Sequence, residues 1–198
     1  MPINFKQAKF YTTVNDLKCL PNVNKEIAIV GRSNAGKSSL LNALTNQNRL
    51  AYTSKTPGRT QHINYFNIND DAYLVDLPGY GYAKVPEAIR LHWVDLLGDY
   101  LRLREQIIGL VIIMDSRHPL KDLDLYMIDF FSRTGKPLHV ILSKADKLTN
   151  QEKSKTLRDV KTQIKEYGFT DLSLQMFSSP KRIGIEELEV KLSSWIEQ

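Results

Sequence analysis

At 198 residues, with 42% hydrophobic and 25% charged side chains, the chain has room for a sizeable core and lacks the low hydrophobicity of a disordered segment. Its 27 Lys and Arg against 22 Asp and Glu leave a formal charge of +5, a modest basic excess that suits an anionic partner without requiring one. A single cysteine, Cys19, excludes an internal disulfide framework, and the longest aliphatic run, Leu110 to Met114, is far too short to cross a bilayer. A cytoplasmic protein with no membrane insertion is expected.

Residues 1–24 read as an irregular N-terminal lead-in belonging to the same domain as residues 25–198. Beyond them, β-rich runs alternate with amphipathic helical stretches. The strands are expected at Glu26–Val30, His62–Ile68, Ala72–Asp76, Leu110–Asp115, Leu138–Ser143 and Leu172–Phe177. A helix over Ser39–Leu44 follows the first, and another spans Pro86 to Leu103. Leu120, Leu123, Met127, Phe130 and Phe131 recur at helical spacing, with Gly135 as the expected C-terminal cap. Thr149-x-x-Glu152 is a capping box opening a helix to about Tyr167, and Ile185 to Ile196 gives a last helix one apolar face. Asn69-Asp70-Asp71 reads as a hairpin turn, which makes the second and third strands antiparallel and places them at one edge. The expected fold class is therefore α/β in three layers: a mixed, mostly parallel six-stranded sheet with helices on both faces.

Four segments at strand ends carry chemistry. Gly31-Arg32-Ser33-Asn34-Ala35-Gly36-Lys37-Ser38 reads G-x-x-x-x-G-K-S between a strand and a helix, the context in which a phosphate-binding loop is credible. Its backbone N–H groups turn inward around a di- or triphosphate, Lys37 reaches the β/γ-phosphates, and the Ser38 hydroxyl suits Mg²⁺. Asp76-Leu77-Pro78-Gly79 closes the third strand, offering a carboxylate to a hydrated Mg²⁺ and a Gly79 N–H to a γ-phosphate. Ser143-Lys144-Ala145-Asp146 closes the fifth strand; the Asp146 carboxylate matches the paired N1–H and N2 donors of guanine, which adenine lacks. Phe177-Ser178-Ser179 follows the sixth strand, where a backbone N–H, that of Ser179, can meet guanine O6. Between the first helix and the second strand, the polar stretch Tyr52–Gln61 has the make-up of a switch loop, with Thr60 as the second hydroxyl for Mg²⁺ and Thr56 as the competing choice.

These residues, in this order, resemble TRAFAC-class G domains, and most closely the EngB (YihA/YsxC) family of bacterial GTP-binding proteins. The carrying strings are GRSNAGKSSLLNAL, TPGRTQ, DLPGYGYAKV, SKAD and FSS, and the similarity covers essentially the whole chain. The resemblance implies a Ras-like P-loop G domain, binding of GTP or GDP with Mg²⁺, a role in large ribosomal subunit assembly and a requirement in cell division and septation. Carried over by position, the nucleotide residues are Gly31 to Ser38, then Gly58, Arg59, Thr60 and Gln61 with His62 adjoining, Asp76 to Gly79, Ser143 to Asp146 and Phe177 to Ser179; Mg²⁺ falls to Ser38 and Thr60. Ser143 departs from the usual Asn or Thr, though its hydroxyl can still tie this loop to the phosphate loop.

In Ras-like enzymes a glutamine directly after D-x-x-G orients the attacking water. Tyr80 stands there, so slow hydrolysis is expected until a partner completes the site, with Lys37, Thr60 and Gly79 as the catalytic contacts and Arg59 as a candidate charge stabiliser. Asn34 resembles the loop asparagine of potassium-activated relatives, which adds K⁺ beside the phosphates as an expectation. Tyr80 and Tyr82 either stack on a base or fill the switch interior. The expected partner of this monomer is a large-subunit precursor, its ribosomal RNA and proteins. Lys153, Lys155, Arg158, Lys161 and Lys165 are the candidate RNA face, and Lys84, Arg90, Arg102 and Arg104 its rivals. A dimerising or effector G-domain module, as in tRNA-modification GTPases, is the alternative reading; an ATP-dependent enzyme is disfavoured by Ser143 to Asp146.

Overall fold

Alternating strands and helices form one seven-stranded sheet in the computed structural model, which describes residues 3–51, 62–81 and 86–198. The strands are β1 (Lys9–Val14), β2 (Lys25–Gly31), β3 (Ile63–Asn67), β4 (Ala72–Asp76), β5 (Ile107–Asp115), β6 (Leu138–Ser143) and β7 (Leu172–Met176), in the order β1-β3-β4-β2-β5-β6-β7. All neighbouring pairs from β4 to β7 are parallel, while β3 runs antiparallel to both β4 and β1. The helices are α1 (Lys37–Thr45), α2 (Glu87–Leu103), α3 (Asp122–Ser132), α4 (Asn150–Lys165) and α5 (Ile185–Ile196).

Alternation along the central strands divides the interior into two cores. Ala28, Val30, Leu110, Ile112, Val140 and Leu142 point to one face, where Val94, Leu97 and Leu101 of α2, Met127 and Phe131 of α3, and Val160 and Ile164 of α4 cover them. Ile27, Ile29, Val111, Ile113 and Ile141 point to the other, beneath Leu40, Leu41 and Leu44 of α1 and Leu188, Leu192 and Trp195 of α5. Strands buried on both sides need not alternate apolar with polar, and β5 and β6 do not. The capping box at α4 is formed: the Thr149 hydroxyl accepts from Glu152 N–H at 3.2 Å, and Glu152 Oε2 accepts from Thr149 N–H at 2.8 Å. Helix α3 stops at Ser132, so Gly135 (φ +70°) belongs to the turn beyond the helix end.

The sheet corrects two expectations. It has seven strands rather than six, because the presumed lead-in contains β1, paired antiparallel with β3 from Lys9↔Asn67 to Val14↔Ile63. The β3–β4 hairpin is antiparallel as expected, but β1 covers its outer side and is itself the edge. A shift in pairing between Phe10 and Thr12 breaks the two-residue period, and Phe10 and Tyr11 are both exposed. An edge strand that buries so little carries no alternating signature.

Candidate functional site

The loops that could hold a ligand gather at the C-terminal ends of β2, β4, β5, β6 and β7, where open α/β sheets place their sites. Strand β2 ends on Gly31, and a Cβ there would lie 2.9 Å from the Ile113 carbonyl oxygen, so β5 approaches too closely for any side chain. The chain then turns through an Ala35 N–H bond to Arg32 O (3.0 Å) and left-handed Asn34 (φ 68°) and Gly36 (φ 105°) before α1 starts at Lys37. The Lys37 ammonium pairs with the Asp76 carboxylate at the end of β4, both side chains being largely buried. Ser38 follows at the helix start, half-buried beside this pair.

The segment after β4 is laid along the outer limb of that loop. Leu77 N–H donates to Ile29 O (3.1 Å) and Tyr80 N–H to Gly31 O (3.3 Å), while the Tyr80 carbonyl accepts from Ser33 N–H at 2.7 Å. Tyr80 is buried, and its hydroxyl donates to Asp124 Oδ1 at 2.6 Å. Burial and the neighbouring Asp124 push the phenol well above its ordinary value, which keeps it a donor. Tyr80 therefore fills the interior and is not a stacking surface.

The two loops expected to read a base are tied to each other and to the phosphate loop. Ala145 N–H donates to Phe177 O (3.0 Å), and Phe177 N–H to Leu142 O (2.9 Å), with the Phe177 ring buried. The Ser178 hydroxyl donates to Asp146 Oδ1 at 2.7 Å, and this bond holds the Asp146 carboxyl below the usual carboxylate range. Ser143 Oγ reaches the Ala35 carbonyl and lies 3.1 Å from Met114 O, which is the tie expected of a serine in this place. Lys144, left-handed at φ 58°, spans the gap with its ammonium 2.8 Å from Asn34 O. Ser179 Oγ lies 3.4 Å from Ser39 O at the mouth of the site. The result is a carboxylate partly open to solvent, held on one side of a cradle of backbone donors, with a lysine stem bridging the two.

A protein-family profile described as 50S ribosome-binding GTPase matches residues 26–144. A probable GTP-binding protein EngB of Neisseria gonorrhoeae (strain NCCP11945) is 61% identical over 194 residues, spanning 98% of this chain and 93% of the relative. The chain belongs to the EngB family of GTP-binding proteins. A further EngB relative, from Laribacter hongkongensis (strain HLHK9), is 57% identical over 197 residues, covering 98% of this chain and 87% of its own. The crystal structure of a probable engB GTP-binding protein superposes with a TM-score of 0.69 at 20% identity, over 87% of this chain and 98% of that one. Era in complex with MgGDPNP and nucleotides 1506–1542 of 16S ribosomal RNA gives 0.65 at 22% identity, over 86% and 56%. At these identities the solved structures bear on the fold alone, which is the Ras-like G domain. Membership of the EngB family carries guanine-nucleotide binding and, in general terms, GTPase activity.

For this EngB-family chain the structure brings together Gly31 to Ser38, Asp76 to Gly79, Ser143 to Asp146 and Phe177 to Ser179. His62 is half-buried immediately before β3. Gly58, Arg59, Thr60 and Gln61, with Thr56, Tyr82 and Lys84, lie outside the described residues. Two carboxylates escaped the sequence reading. Asp115, at the end of β5, is gripped by the Arg117 guanidinium (3.0 and 2.8 Å) and lies 3.4 Å from the Lys144 ammonium. Those bonds hold its carboxyl well below the ordinary range, so it stays charged and anchors Lys144. Asp124 on α3 is the other; nothing local in sequence marks it as the acceptor for Tyr80.

Proposed function

We propose that this EngB-family protein is a guanine-nucleotide switch in assembly of the large ribosomal subunit, acting in the cytoplasm and needed for normal division and septation. The observation that carries the nucleotide reading is the Asp146 carboxylate, fixed by Ser178 and joined across to the phosphate loop through Ser143 and Lys144. In this role Asp146 accepts from the N1–H and N2 donors of guanine, the Lys144 stem covers the base, and Phe177 to Ser179 meet its O6 side. The backbone of Gly31 to Ser38 surrounds the phosphates, Lys37 exchanges Asp76 for a β/γ-phosphate oxygen, and Gly79 N–H faces the γ-phosphate.

Ser38 and Asp76 are hard oxygen donors, Ser38 following Lys37 in sequence and Asp76 pairing with it, and they suit Mg²⁺ with Thr60 as third ligand. When bound, such an ion neutralises charge between β- and γ-phosphates. Asn34, exposed and left-handed within the phosphate loop, is the residue to which we assign assistance of K⁺. Burial of Tyr80 removes it from any water-orienting task, which supports slow hydrolysis without a partner.

Helix α4 supports a ribosomal RNA contact. Arg158, Lys161 and Lys165 lie exposed along one flank, whereas exposed Lys155 shares the other with Glu152, Asp159 and Glu166, and Lys153 is half-buried. Of the rivals, Arg104 is committed to buried Glu26, Arg102 forms an exposed pair with Asp99, and Lys84 lies outside the described residues. Titration calorimetry with GDP, GTP and ATP tests the pocket: guanine nucleotides bound at least a thousandfold more tightly than ATP support it, and equal affinities end it. Cosedimentation with ribosomal particles in GTP, GDP and nucleotide-free states tests the switch, with large-subunit binding expected to depend on the nucleotide.

A further inference from the structure

The turn that carries Gly79 is pinned at both ends, and one pin comes from outside the nucleotide loops. Ile29 faces Asp76 in the β2–β4 ladder, whereas Arg32 faces Tyr80 in the parallel bridge beyond it. The β4 side thus carries one residue more than the β2 side over this stretch, and Pro78–Gly79 bows out of the ladder as in a bulge. Leu77 N–H fixes the near end on Ile29 O at 3.1 Å. Tyr80 fixes the far end, through its N–H on Gly31 O and its carbonyl under both Ser33 N–H (2.7 Å) and the Ser33 hydroxyl (3.2 Å).

A lone bridge past a strand end is a light hold, and the Tyr80 side chain strengthens it. Its ring is 1% exposed within the core beneath α2 and α3, and its hydroxyl ends on Asp124 Oδ1. The second Asp124 oxygen accepts from Lys121 N–H at 3.1 Å at the start of α3, so the carboxylate cannot swing away without uncapping that helix. Between the pins, a Cβ on Gly79 would lie 3.4 to 3.5 Å from Ser33, which fixes how closely the bowed peptide lies on the phosphate loop. Among the described residues, no protein acceptor takes the Gly79 N–H.

We propose that Asp124 is a positioning residue for recognition of the third phosphate: by holding the Tyr80 hydroxyl it keeps the bowed Pro78–Gly79 peptide against the phosphate loop, with the Gly79 N–H presented to a nucleoside triphosphate. This rests on the guanine-nucleotide reading above. On that reading Gly79 meets only the third phosphate, so the pair acts on triphosphate binding and leaves the diphosphate alone.

The test is fluorescence titration with N-methylanthraniloyl GDP and a non-hydrolysable N-methylanthraniloyl GTP analogue, on wild type, Tyr80→Phe, Asp124→Asn and the double variant. Tyr80→Phe keeps the ring in the core and removes only the hydroxyl. Each single variant is expected to weaken the triphosphate analogue about tenfold, the scale of one hydrogen bond to a charged group, with GDP within about twofold. The double variant is expected to lose no more triphosphate affinity than the weaker-binding single variant, because both act through the Tyr80–Asp124 contact. Equal losses for the two nucleotides, strictly additive losses or no loss would overturn the proposal; if Asp124→Asn does not fold, Tyr80→Phe alone decides. Wild type binding neither nucleotide would instead overturn the guanine reading on which it stands.

Discussion

Arg104→Met should cost this protein much of its stability while leaving its nucleotide chemistry untouched. Glu26, near the start of β2, is 0% exposed, and four donors converge on its carboxylate. Arg104 donates through Nε at 2.9 Å and a terminal nitrogen at 2.7 Å; Tyr65 donates its hydroxyl at 2.9 Å, and Tyr100 takes the second oxygen. Burial and the adjacent carboxylate push both phenols above their ordinary values, so they serve as neutral donors and supply no charge. Methionine keeps the aliphatic stem but strips the cation from a carboxylate with no access to water. Removing one partner of such a pair costs about 3–5 kcal/mol, against about 0–1 kcal/mol for an exposed pair. For a chain of this length that corresponds to a fall in Tm of about 6–20 °C. Thermal and urea unfolding followed by circular dichroism measure the loss. Glu26 lies five residues along β2 from Gly31, about 16 Å at strand rise, so GDP affinity should stay within about twofold. A loss below about 1 kcal/mol would refute the claim that this ion pair is energetically a buried one. Glu26→Leu combined with Arg104→Met should recover part of the loss, since the stranded charge goes with its partner.

Acid should unfold the protein partly through His139. Its Nδ1 lies 2.7 Å from Ser173 Oγ and its Nε2 lies 2.8 Å from Gln175 Oε1; Gln175 Nε2 donates to Gly184 O, so the amide oxygen is left to accept from a neutral ring. Burial lowers His139 from 6.5 to about 4. Between those values the unfolded chain binds more protons, so stability is full above pH 6.5 and drains as pH falls toward 4, by at most about 3 kcal/mol; urea midpoints across pH 7 to 4 should show this, with a flatter profile for His139→Asn. Gly109→Ala should destabilise by about 1–3 kcal/mol, because a Cβ there would sit 2.5 Å from the Trp195 ring, and a normal denaturation midpoint would show that α5 yields easily. Ser143→Ala should speed GDP release about fivefold by losing the tie to Ala35 O while preserving the preference over ADP; unchanged release in stopped flow would mean the tie does not hold the loop.

Local pattern made the sheet centre and the site's loops readable. Strands β4 and β6 fall at their expected limits, because hydrophobic runs bounded by turn residues or by chemistry-bearing polar ones leave little freedom. The phosphate loop, the Asp76–Gly79 turn and the Ser143–Asp146 loop were visible because each sits where a strand stops. What escaped shares a different cause. The Tyr80–Asp124 contact joins residues 44 apart, and Arg104 meets Glu26 across 78, so neither leaves a local spacing to detect. Strand β1 escaped because its bulge breaks alternation and only Val14 is buried. Strand β5 begins at Ile107, earlier than Leu110, since Gly109 interrupts the aliphatic run and finds its reason only in Trp195.

The bonds that close the pocket join separate parts of the polypeptide: Ser143 to Ala35 over 108 residues, Lys144 to Asn34 over 110, and Ala145 to Phe177 nearer the C-terminal end. During translation, the cradle emerges long before the segments that brace it. A nascent chain stalled before Leu172 has neither the Ser178 brace on Asp146 nor the strand that leads to it. Completion of the base-reading side of the pocket is thereby deferred until synthesis is nearly finished.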